Sequence, residues 1–98
     1  MAKLIEEATV DCYNESEAKT GFFTMIEDHL ALPFATTVLG TEVEVVQVDM
    51  RDDESIVAIC RHGKTRQGIA ILDLPLPSPP PAGSEWIDAY RAWLKGRW

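Results

Sequence analysis

Ninety-eight residues make one compact domain and leave no room for a second. With 46% hydrophobic residues, 26% charged residues and three Trp, the composition supports a packed core and excludes a disordered chain. A formal charge of −7 has the wrong sign for neutralising phosphate backbones or anionic lipid, which argues against nucleic acid and membrane surfaces as partners.

The charge is unevenly spread. Residues 1 to 54 hold thirteen acids and three bases, net −10, and residues 55 to 98 hold three acids and six bases, net +3. A field of that shape attracts cations or a basic partner to wherever the carboxylates of the first half converge. Residues 1 to 10, MAKLIEEATV, are too polar for the apolar part of a secretory signal, so a cytoplasmic chain is expected. Cys12 and Cys60 then read as reduced, small buried hydrophobes. No run reaches the roughly 18 apolar residues of a membrane span.

In chain order, residues 3 to 13 place Leu4, Ile5, Ala8 and Cys12 at helical spacing and predict a first helix. Asn14 followed three residues later by Glu17 is an N-cap signature. Behind it, Ala18, Phe22, Met25, Ile26, His29 and Leu30 form one stripe, predicting a second helix over 15 to 31. Gly21 lies inside that helix at a cost of about 1 kcal/mol relative to Ala, and Pro33 ends it.

The period then changes. Val43, Val45 and Gln47 alternate with Glu42, Glu44, Val46 and Val48, a β-branched pattern. Strands are expected near 35 to 39, 42 to 50, 55 to 62 and 66 to 72, and their short links predict an antiparallel meander. Residues 74 to 83, LPLPSPPPAG, hold all but one of the six prolines and predict a stiff, extended strap. Ser84 is then positioned to cap a last helix whose core face is Trp86, Ile87, Tyr90, Trp93 and Leu94, with Arg91, Lys95 and Arg97 facing away. The expected fold class is α+β: two N-terminal helices, a small barrel-like antiparallel sheet of three or four strands, the strap and a C-terminal helix.

The densest set of hard oxygen donors is Asp11, Glu15 and Glu17 around Tyr13, at the joint between the first two helices. Calcium takes six to eight oxygens at about 2.3–2.6 Å, backbone carbonyls included, and a bent acidic segment suits it. The principal site is expected here, with a backbone carbonyl near Tyr13 and help from Glu27 or Asp28. A solvated helix joint with no ion remains the plainer reading of the same spacing. It is not an EF-hand, because the sixth and twelfth positions counted from Asp11 are Ser16 and Phe22.

A second acidic group, Asp49 with Asp52, Asp53 and Glu54, falls on a predicted turn and reads either as a hydrated turn or as a weaker ion site. Glu42 and Glu44 share one strand face and read either as its solvent side or as ligands of a weaker second ion. Zinc is disfavoured: Cys12, His29, Cys60 and His62 lack any paired ligand spacing, and His29 reads as a core histidine. There is no nucleophile elbow or phosphate-cradling glycine loop, so an enzyme is not expected.

With these residues laid out, the chain resembles the small acidic bacterial calcium-binding family typified by the cyanobacterial protein CcbP. The resemblance rests on Ile5-Glu6-Glu7, Asp11-Cys12-Tyr13, the pair Glu15 and Glu17, residues 21 to 27 (GFFTMIE), Leu32-Pro33-Phe34 and Ile56-Val57-Ala58. Residues 71 to 77 (ILDLPLP) and 85 to 91 (EWIDAYR) carry it most distinctively. It implies calcium bound by carboxylates without an EF-hand, in a cytosolic buffer or sensor; a monomer is expected. The second reading, from a different class, is an acidic interaction module that docks on a basic protein partner without metal.

Overall fold

The structure, a computed structural model, describes residues 1–96. Helix α1 (Ala2–Ala8) is shorter than its apolar spacing predicts. Its cap is Thr9, and Asp11 turns the chain with a left-handed φ of 59°, so Cys12 and Tyr13 belong to the joint. Helix α2 (Glu15–His29) starts where the cap signature places it: Asn14 Oδ1 accepts from the Glu17 N–H at 2.8 Å. Glu17 answers by accepting the Tyr13 N–H at 2.7 Å, a capping box displaced by one residue.

Gly21 is the close-approach point of the two helices. A Cβ there would overlap the Ala8 carbonyl, so glycine is required by packing, and the propensity loss is offset by letting α1 settle onto α2. Ala18, Phe22, Ile26 and Leu30 are buried. His29 is not: it is exposed at the end of α2 and stacks on Trp86, with ring centroids 5.3 Å apart.

Four strands, β1 (Phe34–Val38), β2 (Thr41–Met50), β3 (Ile56–His62) and β4 (Thr65–Ala70), form an antiparallel meander in the order β1-β2-β3-β4. The sheet is open, since β1 and β4 do not pair; "barrel-like" overstates its curvature, and the helices rather than strand closure cover the core face. A bulge at Val46, between the pairs Val45–Cys60 and Gln47–Ile59, breaks the alternation expected along β2. One extra residue moves Gln47 to the solvent side and brings Val48 onto the face that already holds Val45.

The chain leaves β4 two residues earlier than expected, through a 3-10 turn at Ile71–Asp73. The strap then lies against edge strand β1, where the buried Thr36 Oγ1 donates to the Pro75 carbonyl at 2.6 Å. It is not one uninterrupted extended run. It bends at Ser78–Pro79 and turns at Gly83 (φ 91°), where any Cβ would overlap the His29 carbonyl. The Ala31 N–H donates to Ala82 O at 2.8 Å, tying the end of the strap to the end of α2.

Helix α3 (Glu85–Lys95) follows Ser84, which sits at the N-cap but makes no side-chain cap bond because its own backbone is already helical. Trp86, Ile87 and Tyr90 are buried, and Phe22 packs its ring against Tyr90 and Trp93 at 5.4 and 5.3 Å. Arg91 does not simply face away. It donates to Leu72 O at 3.1 Å and pairs with Asp88, fastening α3 to the 3-10 turn. Arg97 lies outside the described residues.

Candidate functional site

The acidic residues singled out in the sequence fall into three places. At the α1–α2 joint, Asp11, Glu15 and Glu17 are all exposed, and Tyr13 is 88% exposed. Two of these three carboxylates already have partners: Glu17 holds the Tyr13 N–H, and Glu15 lies 3.6 Å from Lys19 Nζ. The joint borders a cleft of about 530 Å³ lined by Thr9, Tyr13, Asn14 and Glu15 together with apolar residues of α2 and α3.

Glu27 and Asp28 do not join this group. They lie ten and eleven residues beyond Glu17 on one continuous helix, about 15 Å away at 1.5 Å per residue. Ligands of one calcium ion stand about 2.3–2.6 Å from it, so the far end of α2 cannot share an ion with its near end. A single helix over 15 to 31 already implies this separation, which the expectation of help from Glu27 or Asp28 did not take into account.

The third place is the β2–β3 loop. Asp53 Oδ1 accepts from both the Ser55 N–H at 3.0 Å and the Ser55 hydroxyl at 2.6 Å. These two hydrogen bonds hold the Asp53 carboxyl below its ordinary range, with the charge of Arg51 a smaller contribution. Asp52 is exposed. Asp49 is half-buried and accepts from the Met50 N–H. Glu54 takes a left-handed φ of 69°, a backbone region that costs a non-glycine residue about 1–2 kcal/mol. Its Oε2 is buried with no hydrogen-bond partner among the described residues.

That orphan oxygen tests whether the residues present fit a hard cation. A buried carboxylate oxygen that nothing among the described residues satisfies is costly, and a bound cation or an ordered water supplies the missing partner. Glu54 was noted in the sequence only as part of an acidic turn, because nothing in a run of Asp52-Asp53-Glu54 tells which of its side chains folds inward. Among the described residues, no three His, Cys, Asp or Glu side chains converge into a ready-made metal cage. Any ion held at either acidic segment must therefore complete its shell with backbone carbonyls and water, which calcium readily accepts.

The remaining candidate ligands are dispersed. Glu44 pairs with Arg61 on the solvent face of the sheet. His62 Nδ1 is 3.1 Å from the Glu42 carbonyl. Cys60 is buried in the core, and burial pushes its thiol up, away from thiolate character. Cys12 is half-buried in the joint, its Sγ 3.5 Å from the Glu17 carbonyl. His29, stacked on Trp86, completes no site with these.

A small acidic α+β domain that displays hard oxygen donors on a helix joint and a hairpin loop, with no helix–loop–helix calcium hand, is the class that this fold and these surfaces define. Residues 2–94 match the family profile described as "Calcium binding", and the chain belongs to this CcbP calcium-binding family. Calcium is therefore the ion to which the acidic groups must be fitted. No curated protein and no solved structure matches the chain. No helix among the described residues is long and apolar enough to cross a membrane.

Proposed function

We propose that this protein binds calcium reversibly through a non-EF-hand site and acts as a cytoplasmic calcium buffer or sensor, without catalysis. The observation that carries the reading is membership of the calcium-binding family over residues 2–94. Two free thiols support a reducing compartment, and the raised Cys60 thiol supports a packing role over a nucleophilic one.

Between the two acidic segments, the β2–β3 loop is favoured as the tighter site. Glu54 Oε2 has no partner there among the described residues, although Asp53 is bound by Ser55, while two of the three carboxylates at the helix joint are engaged. In this assignment Asp52, Asp53 and Glu54 supply charge on the loop, loop carbonyls and water fill the shell, and the joint at Asp11 is a weaker second site. The ranking reverses the one expected from spacing alone.

Isothermal titration with calcium at fixed ionic strength tests it. Glu54→Gln keeps the shape and removes one charge, and it is expected to weaken the tighter phase by about tenfold or more, equivalent to about 1.4 kcal/mol. Asp11→Asn is expected to spare that phase. Loss of the tighter phase in Asp11→Asn with Glu54→Gln unchanged would return the principal site to the joint, and no calcium heat in the unaltered protein would refute the function itself.

A further inference from the structure

Arg51 is the one base in the acidic stretch from Asp49 to Glu54, yet among the described residues it makes no ion pair. Its backbone opens the β2–β3 loop: the Arg51 N–H donates to Ser55 O at 2.9 Å, and its carbonyl accepts from the Glu54 N–H at 2.9 Å. Its side chain goes elsewhere. It runs across β3 to the middle of β4, where Nη2 lies so close over Gly68 that a Cβ on Gly68 would overlap it.

The register explains this seat. Asp49, Val57 and Ala70 form one row across β2, β3 and β4, and Gln47, Ile59 and Gly68 form the next row on the same face. That face is the outer one, opposite the buried Ala58 and Cys60. Val57 is nevertheless only 8% exposed, and its Cγ2 lies 3.6 Å from the point that a Gly68 Cβ would take. The aliphatic stem of Arg51 covers Val57 on the way to Gly68.

A side chain larger than hydrogen at position 68 closes the seat. The group it meets is the free end of a flexible chain, so the guanidinium swings away while the strand stays. Charge sets the direction of the swing. Arg66, one row along β4 on the same face, repels the guanidinium from one side. Asp49, Asp52, Asp53 and Glu54, on and beside the loop that Arg51 opens, attract it from the other.

We infer that Gly68 is a positioning residue for the calcium loop: it seats the Arg51 guanidinium on β4, off the loop carboxylates, and so leaves their charge open to a cation. The inference rests on the assignment of calcium to the β2–β3 loop and extends it by naming what sets the affinity of that loop.

A double-variant cycle followed by isothermal titration with calcium at fixed ionic strength tests it. Gly68→Ala is expected to weaken the tighter phase by about threefold to tenfold, the effect of bringing one positive charge within about 5–10 Å of a divalent ion in a water-like dielectric. The loss should shrink as salt rises. Arg51→Met keeps an apolar stem over Val57 and removes the charge; it is expected to tighten the phase, and Gly68→Ala added to it is expected to change nothing further. Unchanged or tighter binding in Gly68→Ala would overturn the inference. So would a loss of the same size in the Arg51→Met background, because that loss would belong to the strand and not to the guanidinium.

An NMR arm in chelator separates this inference from the calcium reading. The unaltered protein is expected to show nuclear Overhauser contacts from the Arg51 side chain to Gly68 Hα, replaced in Gly68→Ala by contacts to the side chains of Asp52, Asp53 or Glu54. No calcium heat in the unaltered protein would refute the calcium reading and leave the seat of Arg51 to be decided by these contacts. Absence of the Gly68 contacts in the unaltered protein, or of the loop contacts in Gly68→Ala, would overturn the inference with or without calcium.

Discussion

Replacing Gly21 by Ala sets two rules of helix stability against each other at one position. In an exposed helix interior, Gly→Ala gains about 1 kcal/mol from propensity. Here a Cβ would overlap the backbone carbonyl of Ala8, and Cys12 Sγ lies 3.6 Å away on the same side. A backbone carbonyl cannot rotate aside as a flexible side chain can, so α1 must lift off α2. Overpacking of this kind costs about 1–3 kcal/mol, and lifting α1 also loosens the buried Ile5 and Ala8, which places the cost at the upper end. The net expectation is a loss of about 1–2 kcal/mol, or about 4–16 °C in melting temperature for a domain of this size. Differential scanning calorimetry of the two proteins at matched pH and calcium measures it. A melting temperature that rises by a few degrees would show that α1 is not seated on α2 at Gly21, and the geometry of the acidic joint would have to be redrawn.

Thr36→Val removes the hydroxyl that satisfies the Pro75 carbonyl and leaves that oxygen facing an apolar neighbour, at a cost of about 1–3 kcal/mol. The urea midpoint should fall with an unchanged m-value, and an unchanged midpoint would mean that the strap is not held to β1 by this bond. Asp53, held low by Ser55, contributes stability that is present above the unfolded carboxylate range near ~3.9 and is lost as pH falls through its lower folded value. Ser55→Ala should raise the Asp53 carboxyl titration seen by NMR, and an unmoved titration would contradict the assigned cause. At pH 8 the two thiols should react with a disulfide reagent in two phases, Cys12 fast and Cys60 slow, because Cys60 is buried in the core and must wait for local opening. Two equally fast phases would contradict the placement of Cys60.

The α+β class, the order of elements and the meander were legible because each depends on local signals. Asn14 with Glu17 begins α2, Pro33 ends it, and short links join β-branched runs. What was not legible depends on tertiary position. Val45-Val46-Gln47-Val48 reads as plain alternation until a bulge is inserted, and no residue type announces a bulge at Val46. His29 completes the apolar stripe of α2 by spacing, yet the helix ends there and its ring stays exposed, stacked on the buried Trp86. Ser84 has the right identity for a cap, but the strap delivers it in helical conformation, with no room for the side-chain bond.

At the candidate site the acidic segments were visible as segments, and calcium followed from the family resemblance more than from any spacing. Their internal ranking was not visible. It rests on which oxygens the fold has already used: Glu54 differs from Asp52 and Asp53 in having one oxygen buried with no partner among the described residues.

Calcium-dependent thermal stability tests the central claim most directly. Melts of the unaltered protein are followed over a calcium series, with magnesium and potassium series at matched ionic strength beside it. If the folded state binds calcium, the stability increment grows with concentration as RT ln(1 + [L]/Kd). Magnesium should do less, since its strict octahedron near ~2.1 Å suits loop carbonyls and scattered carboxylates poorly. Equal small shifts from all three salts would mean that the −7 charge is merely being screened, and would contradict a calcium site on this protein.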